Sequence, residues 1–431
     1  MLLKNKYLSV IVGLFCATLQ AQPTPAPKQT EPILISGGTI HVGDGRTLDN
    51  HYILVRDGKI ESVLAQTVGR SFSEYKTVNA EGKHIYPGFI APITTLGLVE
   101  IESVRATIDH TEVGEYNANA RTIIAYNTDS EVQPTVRGNG VLIAQVIPLG
   151  GVISGQSSIV QLDAWNWEDA AIKTDEGIFL NWPSSFSNSG WWAEPGDTRR
   201  NERYMEQVST LEKMFTEATS YAKRTDITEK NARLDAMKGL FDGSKKLYIN
   251  ASYAKAITEA VVFAKKYNLQ PVICGGEDAY LVADFLKENN VPVIINRLQS
   301  LPQRADDDYD QPYKNATMLQ KAGVQYCLSM DGGWQQRNLP FQAGQAVGAG
   351  LNYEDAVKAL TLNAAKILGI DRTCGSIEQG KDATLIISDG DALDMRTNKV
   401  SYALIQGRNI ILDDKQKQLF RRFKEKYKQS K

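Results

Sequence analysis

The sequence predicts an α/β chain: a (β/α)8 TIM-type barrel with a small β-sandwich domain built from both chain ends. Three observations carry this expectation. Short β-type segments open the chain. From Gly88 onward, apolar strand segments alternate with helical patterns. Beyond Gly375 the pattern returns to β. Strands alternating with helices imply parallel βαβ units, and their recurrence across residues 87–370 suits a closed barrel better than a short open sheet. A doubly wound sheet is the runner-up, but no Gly-rich dinucleotide fingerprint follows a strand.

The chain has 431 residues, 42% hydrophobic and 23% charged, which fits one large α/β domain with a smaller companion. A net charge of −2 gives no case for nucleic-acid binding. Lys4 and Lys6 precede an apolar run over 8–19 that is too short for a membrane span. Residues 1–21 therefore read as a signal peptide, with Ala21 before the cut. The expected localisation is periplasmic or secreted, with no integral membrane segment after signal removal. Cys16 raises a lipid anchor, but Phe15 before it is bulky for lipidation, so simple secretion ranks higher. Pro23, Pro25 and Pro27 make 22–30 an extended linker. Cys274, Cys327 and Cys374 form no disulfide framework, and no Cys/His cluster suggests a structural zinc site.

The elements follow in order. Residues 31–86 read as the first part of the sandwich, with a strand entering Gly37-Gly38 and a hairpin turning on Asp57-Gly58. The barrel, 87–370, opens at Pro87-Gly88-Phe89-Ile90. Its buried strands are expected at 141–146, 246–249, 271–274, 291–295 and 324–328. Helices are expected at 253–267, 278–288 and 316–322. Gly150 to Ser158 is a Gly/Ser-rich loop, a candidate anion cradle, though tight-turn chemistry is the commoner use of such a loop. Residues 162–200 carry Trp165, Trp167, Trp182, Trp191 and Trp192 in a loop-like background. They form either a lid over the barrel mouth or an excursion whose tryptophans pack on the barrel wall. Residues 202–241 read as helix, with Tyr204, Val208, Leu211 and Phe215 near helical spacing. A helix over 360–369 closes on Gly369. Strands then return over 371–412, the second part of the sandwich. Residues 413–431 form a basic C-terminal helix. There Arg421, Arg422, Lys424, Lys426 and Lys428 interleave with Leu419, Phe420 and Phe423, which reads as a half-solvated terminal helix before a functional basic patch.

The N-terminal strands, the Pro87-Gly88-Phe89-Ile90 junction, the 362–369 helix and the run Gly375-Ser376-Ile377-Glu378-Gln379-Gly380-Lys381-Asp382-Ala383 together resemble the amidohydrolase superfamily, nearest its imidazolonepropionase and prolidase-like branch. The resemblance implies a metal-dependent hydrolase acting on non-peptide or dipeptide C–N bonds, with zinc at the C-terminal mouth of the barrel. It implies a His-x-His pair at the first strand, a carboxylated Lys or Glu at the fourth, single His residues at the fifth and sixth, and an Asp at the eighth. Such metals lower the pKa of a bound water and polarise the scissile carbonyl.

Carried over residue by residue, most of that set is absent. The Asp of the first-strand motif falls on Ala91, and its two His positions fall on Ile93 and Thr95. The fifth-strand His falls on Asn250 and the sixth-strand His near Gly275. Only the eighth-strand Asp is kept, as Asp331. The fourth-strand ligand has no placement; Lys173 is a candidate without support from spacing. A count reaches the same point without alignment. The chain has 4 histidines, and His41, His51 and His84 belong to the β unit, leaving His110 to the barrel. No cofactor is therefore expected, because Ile93, Thr95, Asn250 and Gly275 cannot form the usual site. Cys274 and Cys327 are conceivable thiolate ligands, but apolar strands favour a core role for both.

The remaining candidates are carboxylates in loops after barrel strands: Glu100, Glu102, Glu112, Glu115, Glu277, Asp278, Asp306, Asp307, Asp308 and Asp310. A pair of these with separated pKa values would do acid–base work; the plainer reading is surface or helix-capping groups, with Glu277-Asp278 opening the next helix. The expected site set is Asp331 as the catalytic position, with Thr95, Asn250, Gly275 and Glu277 in a ligand pocket. Two functions stay open. One is a hydrolase whose site is rebuilt around Asp331 and other carboxylates, or around one unusually held metal. The other is an exported pseudoenzyme that binds a small molecule or short peptide, forms a homo-oligomer, or partners an intact paralogue.

Overall fold

A four-stranded and a six-stranded sheet enclose the first core. The computed structural model describes residues 24–66, 71–191, 194–304 and 306–428. The signal-peptide segment 1–21 with Cys16, Trp192, and the last residues of the basic C-terminal stretch lie outside the described residues. The N-terminal strands are β1 (Ile33–Ser36), β2 (Thr39–His41), β3 (Thr47–Asp49), β4 (His51–Arg56), β5 (Lys59–Ala65), β6 (Lys76–Asn79) and β7 (His84–Pro87). The β4–β5 hairpin turns on Asp57 (φ 51°) and Gly58 (φ 77°), the positive-φ pair that a tight turn matching strand twist requires.

The barrel sheet contains β8 (Phe89–Thr94), β9 (Val141–Val146), β10 (Ile153–Gln161) and β11 (Ala171–Asn181). A separate hairpin follows, β12 (Phe186–Trp191) with β13 (Glu194–Arg200). The barrel then continues with β14 (Lys246–Ala251), β15 (Pro271–Gly275), β16 (Val293–Ile295) and β17 (Tyr326–Leu328). Its helices include α1 (Val132–Arg137), α2 (Tyr204–Ala222), α3 (Ala232–Phe241), α4 (Ala254–Lys266), α5 (Ala283–Glu288), α6 (Gln311–Ala322), α7 (Leu339–Gly348), α8 (Tyr353–Leu360) and α9 (Leu362–Leu368). The chain ends with β18 (Leu385–Ser388), β19 (Val400–Ile405), β20 (Arg408–Asn409) and α10 (Lys415–Lys426).

The two ends of the chain meet directly. Strand β18 pairs antiparallel with β7, Leu385 opposite Pro87, giving the sheet order β20-β19-β18-β7-β2-β3. The second sheet, β5-β4-β1-β6, packs on it through Ile33, Ile35, Ile53, Val55 and Ile60 against Ile40, Ile85, Leu385 and Leu404. Alternate residues of each strand point inward, so one face of each sheet is apolar and the sandwich follows.

The barrel is eight-stranded but not a uniform (β/α)8 repeat. Strand β10 runs antiparallel to both β9 and β11. The chain reverses between β9 and β10 on Gly150 (φ 84°) and Gly151 (φ 64°), with no length for a helix. This corrects the loop reading of Gly150 to Ser158: residues 153–158 are strand and buried throughout, so they offer no open anion cradle. It also narrows the lid reading of 162–200. Residues 171–181 are a barrel strand because Ile178, Phe179 and Leu180 fill the sheet, and only the β12–β13 hairpin projects. Trp182 packs on the wall, 5.3 Å from Phe263 with its indole N–H donating to Tyr204, whereas Trp191 is exposed. Residues 202–241 form two helices, α2 and α3, rather than one.

The seam between β17 and β8 is closed by side chains. Ser329 Oγ donates to Pro92 O (2.6 Å) and Thr94 Oγ1 to Gly332 O (2.8 Å). The interior holds Ile90, Ile143, Ile159, Phe179, Tyr248, Val272, Cys274, Ile294 and Cys327, and α9 plugs the strand-start end with Ala364, Ala365, Ile367 and Leu368. Cys274 and Cys327 are buried here, and burial pushes both thiols well up, so neither is a thiolate.

One further expectation is corrected. Residues 24–30 are no free linker. The Ala26 amide donates to Asp163 Oδ2 (2.9 Å), and Gln29 accepts from the Gly58 amide (2.8 Å) and donates to Val55 O (3.0 Å). Helix α10 has no fully buried residue, and its apolar side chains are partly to largely exposed. Among the described residues no helix is long and apolar enough to cross a membrane.

Candidate functional site

The barrel mouth is built from strand ends. Parallel strands place their C-terminal residues on one face, so Ile93 to Thr95, Asn181, Asn250, Gly275 and the 329–333 turn come to the same end of the barrel. On one side an amide-rich group forms. Asn181 Nδ2 donates to Gly151 O (2.8 Å) and Ser154 Oγ (3.1 Å), and Asn250 Nδ2 donates to Asn181 Oδ1 (3.2 Å). Gly275 completes it. A Cβ there would stand 3.2 Å from Glu277 Oε2, 3.4 Å from Ser252 Oγ and 3.5 Å from Asn250 Oδ1. Glu277 Oε2 is buried and has no hydrogen-bond partner among the described residues. Asn250, Gly275 and Glu277 are thus brought together, with Asn181 and Ser252 as members that the sequence reading missed. A polar residue ending a strand that faces a barrel mouth was the available signal for Asn181.

Beside this group lies a small cleft of about 30 Å³, lined by Gly275, Glu277, Arg297, Ser300, Gln303 and Asn315. Its outer wall is the loop after β16, which Arg304 pins by donating to both oxygens of Asp278 (3.0 and 2.9 Å) and to Asp307 (2.8 Å). Asp278 is buried and also accepts from the Ala254 amide (3.1 Å), so it caps α4 instead of opening the segment that follows it. The other loop carboxylates with partners are structural too. Glu100 accepts from Asn127, Glu112 from the Val113 amide, and Asp308 and Asp310 face Lys314. Glu102, Glu115 and Asp306 are exposed.

Thr95 and Asp331 sit apart from the amide group, at the seam. Thr95 is 7% exposed, and the turn carrying Asp331 lies against it through Gly333. Asp331 itself is exposed. Lys173 is excluded from the mouth: its ammonium lies against Gly369 at the plugged end of the barrel.

Ile93 has φ +53°, a left-handed backbone that a β-branched residue adopts at a cost of about 1–2 kcal/mol. Its amide donates to Gln145 Oε1 (3.2 Å), which holds the twist in place. Ile93→Gly removes a partly buried side chain but relieves this strain. It is expected to cost less than about 1.5 kcal/mol, against about 2–5 kcal/mol for Ile90→Ala in the same cluster; urea midpoints of the two variants measure the difference.

Behind the mouth lies a second group unseen in the sequence. Glu176 is buried, with Oε1 accepting from Gln145 Nε2 (2.7 Å) and Ser157 Oγ (2.5 Å), and Oε2 from Tyr248 OH (2.9 Å). Desolvation raises its pKa against the opposing effect of these three donors.

Residues 311–411 match the Amidohydrolase family. The fold is similar to that of an amidohydrolase from Thermotoga maritima, at 21% identity and TM-score 0.75, over 88% of this chain and 99% of that one. It is also similar to a putative prolidase from Bifidobacterium longum, at 17% identity and TM-score 0.53, over 93% and 100% of the two chains. The family match is confined to residues 311–411, and the likeness to these solved structures is one of fold. An amidohydrolase of Hapsidospora irregularis, tasK, is 32% identical over 112 residues; those residues span 24% of this chain and 11% of that relative.

The residues at the barrel mouth do not offer donors that fit zinc. Ile93 and Gly275 carry none, Thr95 offers a neutral hydroxyl and Asn250 an amide, and Asp331 is the one anionic oxygen among the five positions. Among the described residues no group of three or more His, Cys, Asp or Glu side chains is placed to hold a metal ion. The imidazoles are committed elsewhere. His41 Nδ1 meets Glu354 Oε1 at 2.7 Å and His41 Nε2 meets His84 Nδ1 at 3.1 Å, in the sandwich. His51 Nδ1 bonds Asp49 O (2.8 Å), and His110 Nδ1 bonds its neighbour Thr111 (2.6 Å).

Proposed function

We propose that this chain is an exported amidohydrolase-family protein that binds a small polar molecule or short peptide at the barrel mouth without the family's metal-dependent hydrolysis. One observation carries the reading. Where the family's first-strand pair would present two imidazoles, a twisted, strained backbone presents Ile93, followed by buried Thr95. Asn181, Asn250 and Ser252 supply neutral donors and acceptors for an amide or carboxamide ligand. The Glu277 oxygen without a partner would accept from an ammonium or amide N–H on that ligand. The purified chain is expected to hold zinc far below one equivalent by elemental analysis, and to leave a panel of dipeptides, hydantoins and lactams intact. Stoichiometric zinc that is lost in Asp331→Ala would sink the reading.

A second reading is favoured by Glu277 specifically. A carboxylate with a buried oxygen lacking a partner, beside a cleft, is a candidate general base for metal-free hydrolysis. Turnover of any panel member that falls at least a hundredfold in Glu277→Gln, with no metal bound, would select it. Export rests on the charged start and apolar run of residues 1–21. N-terminal sequencing of the protein from the periplasmic or extracellular fraction tests it, with a start near residue 22 expected. A homo-oligomer or an intact paralogue as partner belongs to the same binding role, and light scattering of the chain alone tests the first.

A further inference from the structure

Helix α10 is rooted at its first turn and open along the rest. Asp414 is buried and caps it, accepting from the Lys417 amide (2.8 Å), and Thr135 on α1 donates to Gln416 (2.9 Å). Arg421 is tied back to Asp413 (2.7 Å). Beyond that root, Leu419, Phe420, Phe423 and Tyr427 are 40%, 64%, 47% and 62% exposed. At about 100° per residue these four fall within roughly one quadrant of the helix, a single stripe. Arg422 and Lys426 border the stripe on one side, and Lys417 and Lys424 on the other. The cations reach along it: Lys424 Nζ stands 5.9 Å from the Phe420 ring centre, and Lys426 Nζ 5.2 Å from that of Tyr427. Glu425, the one acid within the helix, projects from the opposite face.

We infer that α10 docks this protein on an anionic phospholipid surface. An exposed aromatic stripe with cations on both flanks matches a helix lying in the interfacial plane. Its rings enter the acyl boundary and its ammonium and guanidinium heads stay with the lipid phosphates. A helix tracking a nucleic-acid backbone would carry its cations on the contacting face itself, without an apolar stripe between them. The local charge is also opposite in sign to that of the chain as a whole, whose net charge is −2.

The test uses the full chain with phosphatidylcholine vesicles, with and without phosphatidylglycerol, at low and high salt. Co-sedimentation is expected on the anionic vesicles, weakened by salt. Arg422→Glu with Lys426→Glu should weaken it about fivefold for each cation removed, and more through the added negative charge. Phe420→Ser with Phe423→Ser should abolish it while circular dichroism and urea midpoints stay unchanged, since neither ring is buried. Any insertion of the apolar N-terminal run would appear equally on neutral vesicles and in every variant, and is subtracted. Equal binding to both vesicle types by all variants overturns the proposal. So does wild-type binding by the Phe420, Phe423 variant, or binding of RNA or heparin without binding of vesicles.

Discussion

Asp163→Ala is expected to destabilise the folded chain by about 3–5 kcal/mol, the range for breaking a buried ion pair by removing one partner. Its side chain is 3% exposed and takes Arg137 Nη1 at 2.7 Å and Arg408 Nη1 at 2.8 Å, whose own side chains are 6% and 13% exposed. Removing the carboxylate leaves two guanidinium groups facing each other with little water to separate them. It also strips the Ala26 amide of its acceptor, so the N-terminal strap loses a tie to the barrel. A urea denaturation curve gives the loss, and limited proteolysis should cut within 24–30 sooner in the variant. A loss below about 1 kcal/mol, the range of exposed pairs, would show that water reaches the cluster and screens it.

The second large effect is at Glu176. Replacement by leucine leaves the Gln145 amide and the Ser157 and Tyr248 hydroxyls without their acceptor in a dry interior, at an expected cost of about 3 kcal/mol or more. Replacement by glutamine keeps an acceptor for Gln145 and Ser157, and Tyr248 OH can accept from the new amide. The two variants therefore separate hydrogen bonding from charge. Burial raises the folded pKa of Glu176 above its usual 4.5, so the folded state keeps a proton that the unfolded chain has released. The linked stability is fully present below the unfolded value and is lost as pH rises through the folded one. Urea midpoints of the wild type should fall with rising pH above about 4.5 relative to those of Glu176→Gln, which lacks the group. Parallel profiles for the two chains would overturn this.

The two functional expectations rest on different residues. Zinc content and hydrolysis report on the mouth, where Ile93, Thr95, Asn250 and Gly275 stand. Vesicle binding reports on α10, at the far end of the chain sequence. Either can fail without the other.

Much of the architecture was legible because it follows from short-range pattern. Period-2 strands, helical spacing, Asp57-Gly58 and the Gly369 stop each act within a few residues, so the barrel, the sandwich and most strand positions can be read without coordinates. The missing imidazoles were legible too, since a count of 4 histidines does not depend on register. What misled were local signals with non-local outcomes. Gly150 to Ser158 looks like loop, yet Ser154, Ser157 and Ser158 are buried because strands on both sides satisfy their backbone. The 162–200 segment reads as loop-like, yet 171–181 is a barrel strand in which Asp175 and Glu176 meet Arg121 and Tyr248 from distant parts of the chain.

By itself, then, the sequence determined the barrel, the sandwich built from both chain ends and the scarcity of imidazoles, because all three are written in local spacing and residue identity. Only the tertiary structure decided that β10 runs backwards, that Glu176 shares one buried site with Gln145, Ser157 and Tyr248, and that Glu277 faces Asn250 with an oxygen left unbonded. It also decided that the aromatic residues of α10 find no core. Each of these depends on which groups distant in the chain are brought within hydrogen-bonding or packing distance, and that is set by closure of the sheet rather than by any single stretch of residues.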